Sequence, residues 1–160
     1  MFYLKGQKHF NDCGVAVSAT ILGLLGIDYN YKSLGKIDTF LDILLTLEKY
    51  KINAKCYKSS MIPDQLSIIQ IKKLNRFHFV IIYHKDDNYF YYYSPNKLII
   101  HKIKISKLMK YFTGNIILIN TKEKYLNYKI DLLSLPYSIK LIIYDVITII
   151  LIYNILNSVL

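Results

Sequence analysis

The hydrophobic rhythm of the chain changes near Asn53, and that change constrains the fold more than any other feature. Before it, Asp12 is followed by Gly14, Ala16, Ala19, Leu22 and Leu25 and the run stops at Gly26. This pattern predicts a helix of short residues with Asp12 as N-cap and Gly26 at the C-terminal end. Residues 37–50 place Phe40, Leu41, Leu44, Leu45 and Leu47 at helical spacing, with Asp38 near the start and Lys49 near the end to suit the dipole. After Asn53 the pattern becomes extended: strands are expected over 54–58 and 67–72, with a helical turn at 63–66 between them. The clearest hairpin signal follows, two aromatic and β-branched runs at 77–84 and 88–94 joined through Lys85, Asp86 and Asp87. A strand over 98–104, a short capped helix over 106–112 and a last strand over 116–120 complete the series. Helices first and an antiparallel sheet afterwards make this an α+β order, with the N-terminal helices packed on the sheet.

One domain accommodates this, since the chain has 160 residues. Its hydrophobic content of 53% against 20% charged exceeds what a soluble domain of that size needs, so some apolar sequence is expected outside the core. The formal charge of +10 comes mostly from lysines scattered along the chain, which give a diffuse positive field and no basic arm. The abundance of Lys, Ile, Tyr and Asn reads as A/T-rich codon bias, so no nucleic-acid partner is expected; an anionic membrane leaflet is the expected electrostatic partner. Cys13 and Cys56 stand far apart without metal-ligand spacing, which points to two reduced thiols in a cytosolic setting, with neither disulfide nor metal and no cofactor. Residues 1–10 lack the continuous apolar core of a secretory signal.

The apolar excess lies at the C-terminus. A domain over 1–120 is followed by a polar linker over 121–138 carrying Lys122, Lys124, Lys129 and Pro136. Beyond it, residues 139–160 are almost wholly apolar and close to the roughly 20 residues that span a bilayer. Asp145 costs about 1 to 3 kcal/mol there on insertion scales, which packing against partner helices would relieve. A transmembrane helix is the expected reading, with a surface-lying amphipathic helix as its alternative. Lysines before the segment and none after it put the N-terminal domain on the cytoplasmic side of the cell membrane.

The chemistry centres on Cys13. In the first turn of a helix a thiolate is stabilised by unpaired N–H groups and the positive dipole end, so a lowered pKa is expected. Six residues earlier Gln7 carries an amide able to donate to an oxyanion beside the Cys13 N–H, a spacing that resembles papain-like cysteine peptidases. Gly14 is read as giving a substrate backbone room beside the nucleophile. Such a peptidase needs an imidazole to take the thiol proton. Of His9, His78, His84 and His101, His78 stands out because it interrupts an otherwise apolar strand.

These residues together resemble the double-glycine leader peptidases found at the N-terminus of bacteriocin-exporting ABC transporters. Gln7, Asp12-Cys13-Gly14, His78-Phe79-Val80, Ser94-Pro95 and Thr113-Gly114 before a final apolar strand fall in that family's order over residues 1–120. The resemblance implies a papain-like fold and cleavage after a Gly-Gly pair ending a peptide's leader, on the cytosolic side and coupled to export. Its implied partners are the leader peptide and an ABC transporter. The family's pattern has an aspartate where this chain has Ser94, so the group orienting His78 becomes Ser94, or Asn96 two residues on.

A degenerate domain that docks leader peptide or transporter without cutting is the alternative raised by Ser94. A split or truncated exporter fragment is another, because the chain stops in its first apolar helix and holds no P-loop motif, so ATP hydrolysis and the remaining spans would come from separate transporter subunits.

Overall fold

The computed structural model describes residues 3–4, 12–95, 100–121, 129–130 and 148. Its scaffold is an antiparallel sheet of six strands: β2 (Ala54–Lys58), β3 (Ser67–Lys73), β4 (Arg76–Lys85), β5 (Tyr89–Tyr93), β6 (Ile100–Lys104) and β7 (Phe112–Ile119). They lie side by side in the order β2-β7-β3-β4-β5-β6. A separate pair joins β1 (Tyr3–Leu4) in parallel to β8 (Lys129–Ile130), the latter within the stretch expected to be a linker.

Period-two alternation divides the sheet into two apolar faces. Ile68, Phe79, Ile81, Tyr83, Ile117 and Ile119 face the helices α1 (Cys13–Leu24) and α2 (Phe40–Lys49), sharing a core with Val17, Ile21, Leu22, Ile43 and Leu47. Ile69, Val80, Ile82, Phe90 and Ile116 form the second core with Ile62 and Leu108 of the short helix α3 (Ile105–Met109). The expected α+β arrangement, helices on an antiparallel sheet, is the one observed.

The elements follow from their residues. α1 is apolar all round and buried over most of its length, which suits a helix enclosed by other elements. It ends as expected at Gly26, whose φ of 66° turns the chain while Ile27 N–H donates to the Leu22 carbonyl at 3.0 Å. At the other end Asp12 does occupy the N-cap position, but its side chain makes no capping hydrogen bond. α2 begins with a reciprocal box in which Thr39 Oγ1 accepts from Asp42 N–H at 3.1 Å and Asp42 accepts from Thr39 N–H at 2.9 Å. Thr39 therefore starts this helix, and Asp38 precedes the cap.

Two expectations fail locally. Residues 63–66 form no helical turn, with bends over 64–66, because the Leu66 carbonyl already accepts from Ile119 N–H at 3.0 Å and Asp64 accepts from Lys85 N–H at 2.7 Å. β7 starts at Phe112, where a helix end and then a Thr113-Gly114 turn were expected. Gly114, at φ 91°, allows the strand to bend, its carbonyl accepts from Ser59 N–H at 2.9 Å, and the β3–β7 register shifts between Ile69 and Ile71. Among the described residues no helix is long and apolar enough to cross a membrane. The expected span over 139–160 lies outside the described residues apart from Thr148, so the structure lends it no support.

Candidate active site

Cys13 opens α1 and lies half-buried against β4. It lines an open cleft of about 630 Å³ together with Asp38, Thr39 and Phe40 ahead of and into α2, Gln70 of β3, and Arg76, Phe77, His78 and Phe79 of β4. The cleft thus holds two of the expected site residues, Cys13 and His78. Phe40 and Phe79 pack at its base with ring centroids 5.5 Å apart.

The contact between α1 and β4 has a specific cause. β5 stops pairing with β4 at Ile81↔Tyr93, which leaves Phe79 beyond the end of that ladder. There the Phe79 N–H points to the Cys13 sulfur, as do the N–H groups of Gly14 and Cys13 itself. Burial nevertheless outweighs these donors and pushes the Cys13 thiol up, with the Asp38 charge adding to the rise. The lowered thiol pKa expected from the helix end is therefore corrected: the dipole and donors are present, and desolvation wins. His78 moves the other way. Burial holds its imidazole below the ordinary value, and the charges of Arg76 and Lys73 reinforce this. At neutral pH the pair is a protonated thiol beside a neutral imidazole, a combination that needs the base to draw off the proton. No hydrogen bond joins the two side chains among the described residues; such bonds commonly tighten only in the substrate complex.

Gly14 serves a purpose different from the one expected. A Cβ at this position would stand 2.1 Å from the Ile37 carbonyl oxygen, so the bare Cα is filled by the chain's own backbone and not by substrate. The close approach brings the segment carrying Asp38, Thr39 and Phe40 against the start of α1, beside Cys13. Gly14→Ala is expected to cost about 3 kcal/mol in urea unfolding, since backbone must move to relieve the overlap. A change below about 0.5 kcal/mol would mean that α1 slides freely past Ile37.

Ser94 directly follows β5 and is not among the cleft-lining residues. Extending the register from Ile81↔Tyr93 sets Ser94 opposite Val80, and alternation then gives it the same face as His78. Gln7 and Asn96 lie outside the described residues. Of the other histidines, His84 pairs with Asp64 at 3.2 Å and stacks on Tyr91, and His101 packs against Tyr92, both away from the cleft. Asp86 organises the β4–β5 turn by accepting from Asn88 N–H at 2.9 Å and Tyr89 N–H at 2.6 Å. Sequence reasoning missed Gln70, a polar residue in a strand that offered no motif. Among the described residues no cluster of three or more His, Cys, Asp or Glu side chains is placed to hold a metal ion.

A cysteine at a helix N-terminus and a histidine on the adjoining strand, sharing a cleft between helices and an antiparallel sheet, define the class as a papain-like cysteine peptidase. Residues 2–124 match the Peptidase C39 family, and the chain belongs to that family of cysteine peptidases. The fold is shared with the peptidase domain of Streptococcus ComA, a bi-functional ABC transporter involved in quorum sensing (TM-score 0.65, 19% identity, 76% of this chain and 100% of that one). It is shared also with a double glycine motif protease from an AMS/PCAT transporter in complex with its leader peptide (TM-score 0.64, 22% identity, 74% and 90%). A third example is the N-terminal peptidase C39-like domain of a toxin secretion ATP-binding protein from Vibrio parahaemolyticus (TM-score 0.58, 13% identity, 71% and 100%). No curated protein matches the chain.

Proposed function

We propose that this peptidase removes the leader of a bacteriocin-like precursor by cutting after a Gly-Gly pair, working with an ABC transporter that exports the product. The observation that carries the reading is the cleft shared by Cys13 and His78 in a chain of the C39 family. The likeness to a double glycine motif protease bound to leader peptide supports the substrate class. In this scheme His78 takes the proton from the Cys13 thiol, and the sulfur attacks the carbonyl carbon of the second glycine. Gln7 and the Cys13 N–H hold the resulting oxyanion. Collapse forms a thioester to the leader and breaks the peptide bond, with His78 returning its proton to the departing amine. Water then hydrolyses the thioester by the same base. Ser94 or Asn96 orients the imidazole in place of a carboxylate.

The apolar segment 139–160 and the lysines before it support attachment to the cell membrane with the peptidase domain on the cytoplasmic side. The substrate is tested by incubating the chain with peptides that carry a Gly-Gly or an Ala-Ala junction and mapping the products by mass spectrometry. A single cut after the second glycine is expected, with the Ala-Ala peptide left whole. Cutting elsewhere, or of both peptides alike, would discard the double-glycine assignment. Leader binding without any cut would identify a docking domain instead.

A further inference from the structure

Gln70 sits in the middle of β3 on the face that packs α1, cross-strand from Phe79. The same face of β3 carries buried Ile68, so an amide at position 70 needs a reason to be there. Its side-chain oxygen is held by the neighbouring strand: Asn115 Nδ2 donates to Gln70 Oε1 at 2.8 Å and Thr113 Oγ1 approaches the same atom at 3.1 Å. Thr113 Oγ1 also lies 3.0 Å from the Gln70 carbonyl oxygen. The Asn115 amide, with the one Thr113 hydroxyl proton shared between this atom and the Gln70 carbonyl, holds the side-chain oxygen to β7, which leaves the NH₂ group as the other end of the amide. Gln70 lines the cleft with Cys13, His78 and Phe79. Neighbouring strands lie about 4.8 Å apart, which sets Gln70 one strand away from Phe79, whose own N–H points to the sulfur.

A substrate whose last two leader residues are glycines presents no side chains next to the cut. Recognition there depends on its main-chain groups, and a carbonyl oxygen is the acceptor such a segment provides. We infer that Gln70 is a substrate-binding residue, its NH₂ group donating to a main-chain carbonyl of the segment preceding the scissile bond. This assignment rests on the proposed function.

Two substitutions test it. In Gln70→Glu the carboxylate still accepts from Asn115 and Thr113, so the anchoring persists while the face toward the cleft becomes an acceptor. Gln70→Met removes donor and acceptor at similar size. With the Gly-Gly peptide, KM is expected to rise about 3- to 10-fold in Gln70→Met and further in Gln70→Glu, with kcat within about twofold of wild type. Wild-type KM in either variant, or a loss confined to kcat, overturns the assignment even if the wild-type chain cleaves normally. A second readout needs no cleavage: in ¹⁵N-labelled Cys13→Ala, the Gln70 side-chain NH₂ signals, identified by their absence in Gln70→Met, should shift as the peptide is added. No shift with a peptide that wild type cleaves sinks Gln70 alone. No shift together with no cleavage by wild type sinks both the assignment and the function it rests on.

Discussion

Cys13→Ala should lower cleavage of a Gly-Gly peptide by about 10⁴-fold or more, measured as kcat/KM against wild type under single-turnover conditions. Cys56 cannot take over, because it is exposed on β2, which is separated from β4 by β7 and β3. His78→Ala should be nearly as damaging. Burial holds the Cys13 thiol up, so few molecules carry a spontaneous thiolate at neutral pH and the reaction depends on an adjacent base. The rising limb of kcat/KM with pH should lie below the ordinary imidazole value, since His78 gives up its proton early under the influence of burial, Arg76 and Lys73. If Cys13→Ala retains wild-type activity, the nucleophile lies elsewhere.

Ser94→Asp should raise kcat/KM by about 10- to 100-fold, a gain of function from one substitution. Extended past its last pair at Ile81↔Tyr93, the β4–β5 register would put position 94 on the face that carries His78, diagonal to it across the strands. A hydroxyl there can accept a hydrogen bond from the ring but would add no charge when the imidazole becomes cationic. A carboxylate does both, so the proton transfer from Cys13 gains a stabilised product. The same charge raises the His78 pKa, and the rising limb of the pH profile should move to higher pH. Unchanged activity and an unmoved profile would show that position 94 does not act on His78, leaving Asn96 as the orienting group.

Much of this site was legible because its signals are local. The Asp12-Cys13-Gly14 run before small apolar residues marks a helix start whatever surrounds it, and His78 is conspicuous as the polar member of an apolar strand. The β4–β5 hairpin was equally plain, since aromatic and β-branched runs flank a short acidic turn. What the sequence concealed depends on partners distant along the chain. Gly14 looked like room for substrate until the Ile37 carbonyl was found above it. The thiol pKa turns on how deeply α1 is packed, which no helix-end rule contains. Thr113-Gly114-Asn115 has turn chemistry, yet bonds to Gln70 and Ser59 draw it into β7. Gln70 itself resembled any solvated strand residue, because the strand that anchors it comes more than forty positions later, with separations of 43 and 45.

The meeting of α1 with β4 also bears on how the cleft assembles. Cys13, Gln70 and His78 come from α1, β3 and β4, Asp38 from the segment ahead of α2, and β7, the strand beside β3, follows all of them in sequence. Contacts this non-local form late in folding, after their loop-closure entropy has been met. Assembly of the cleft therefore depends on the sheet as well as on the two helices.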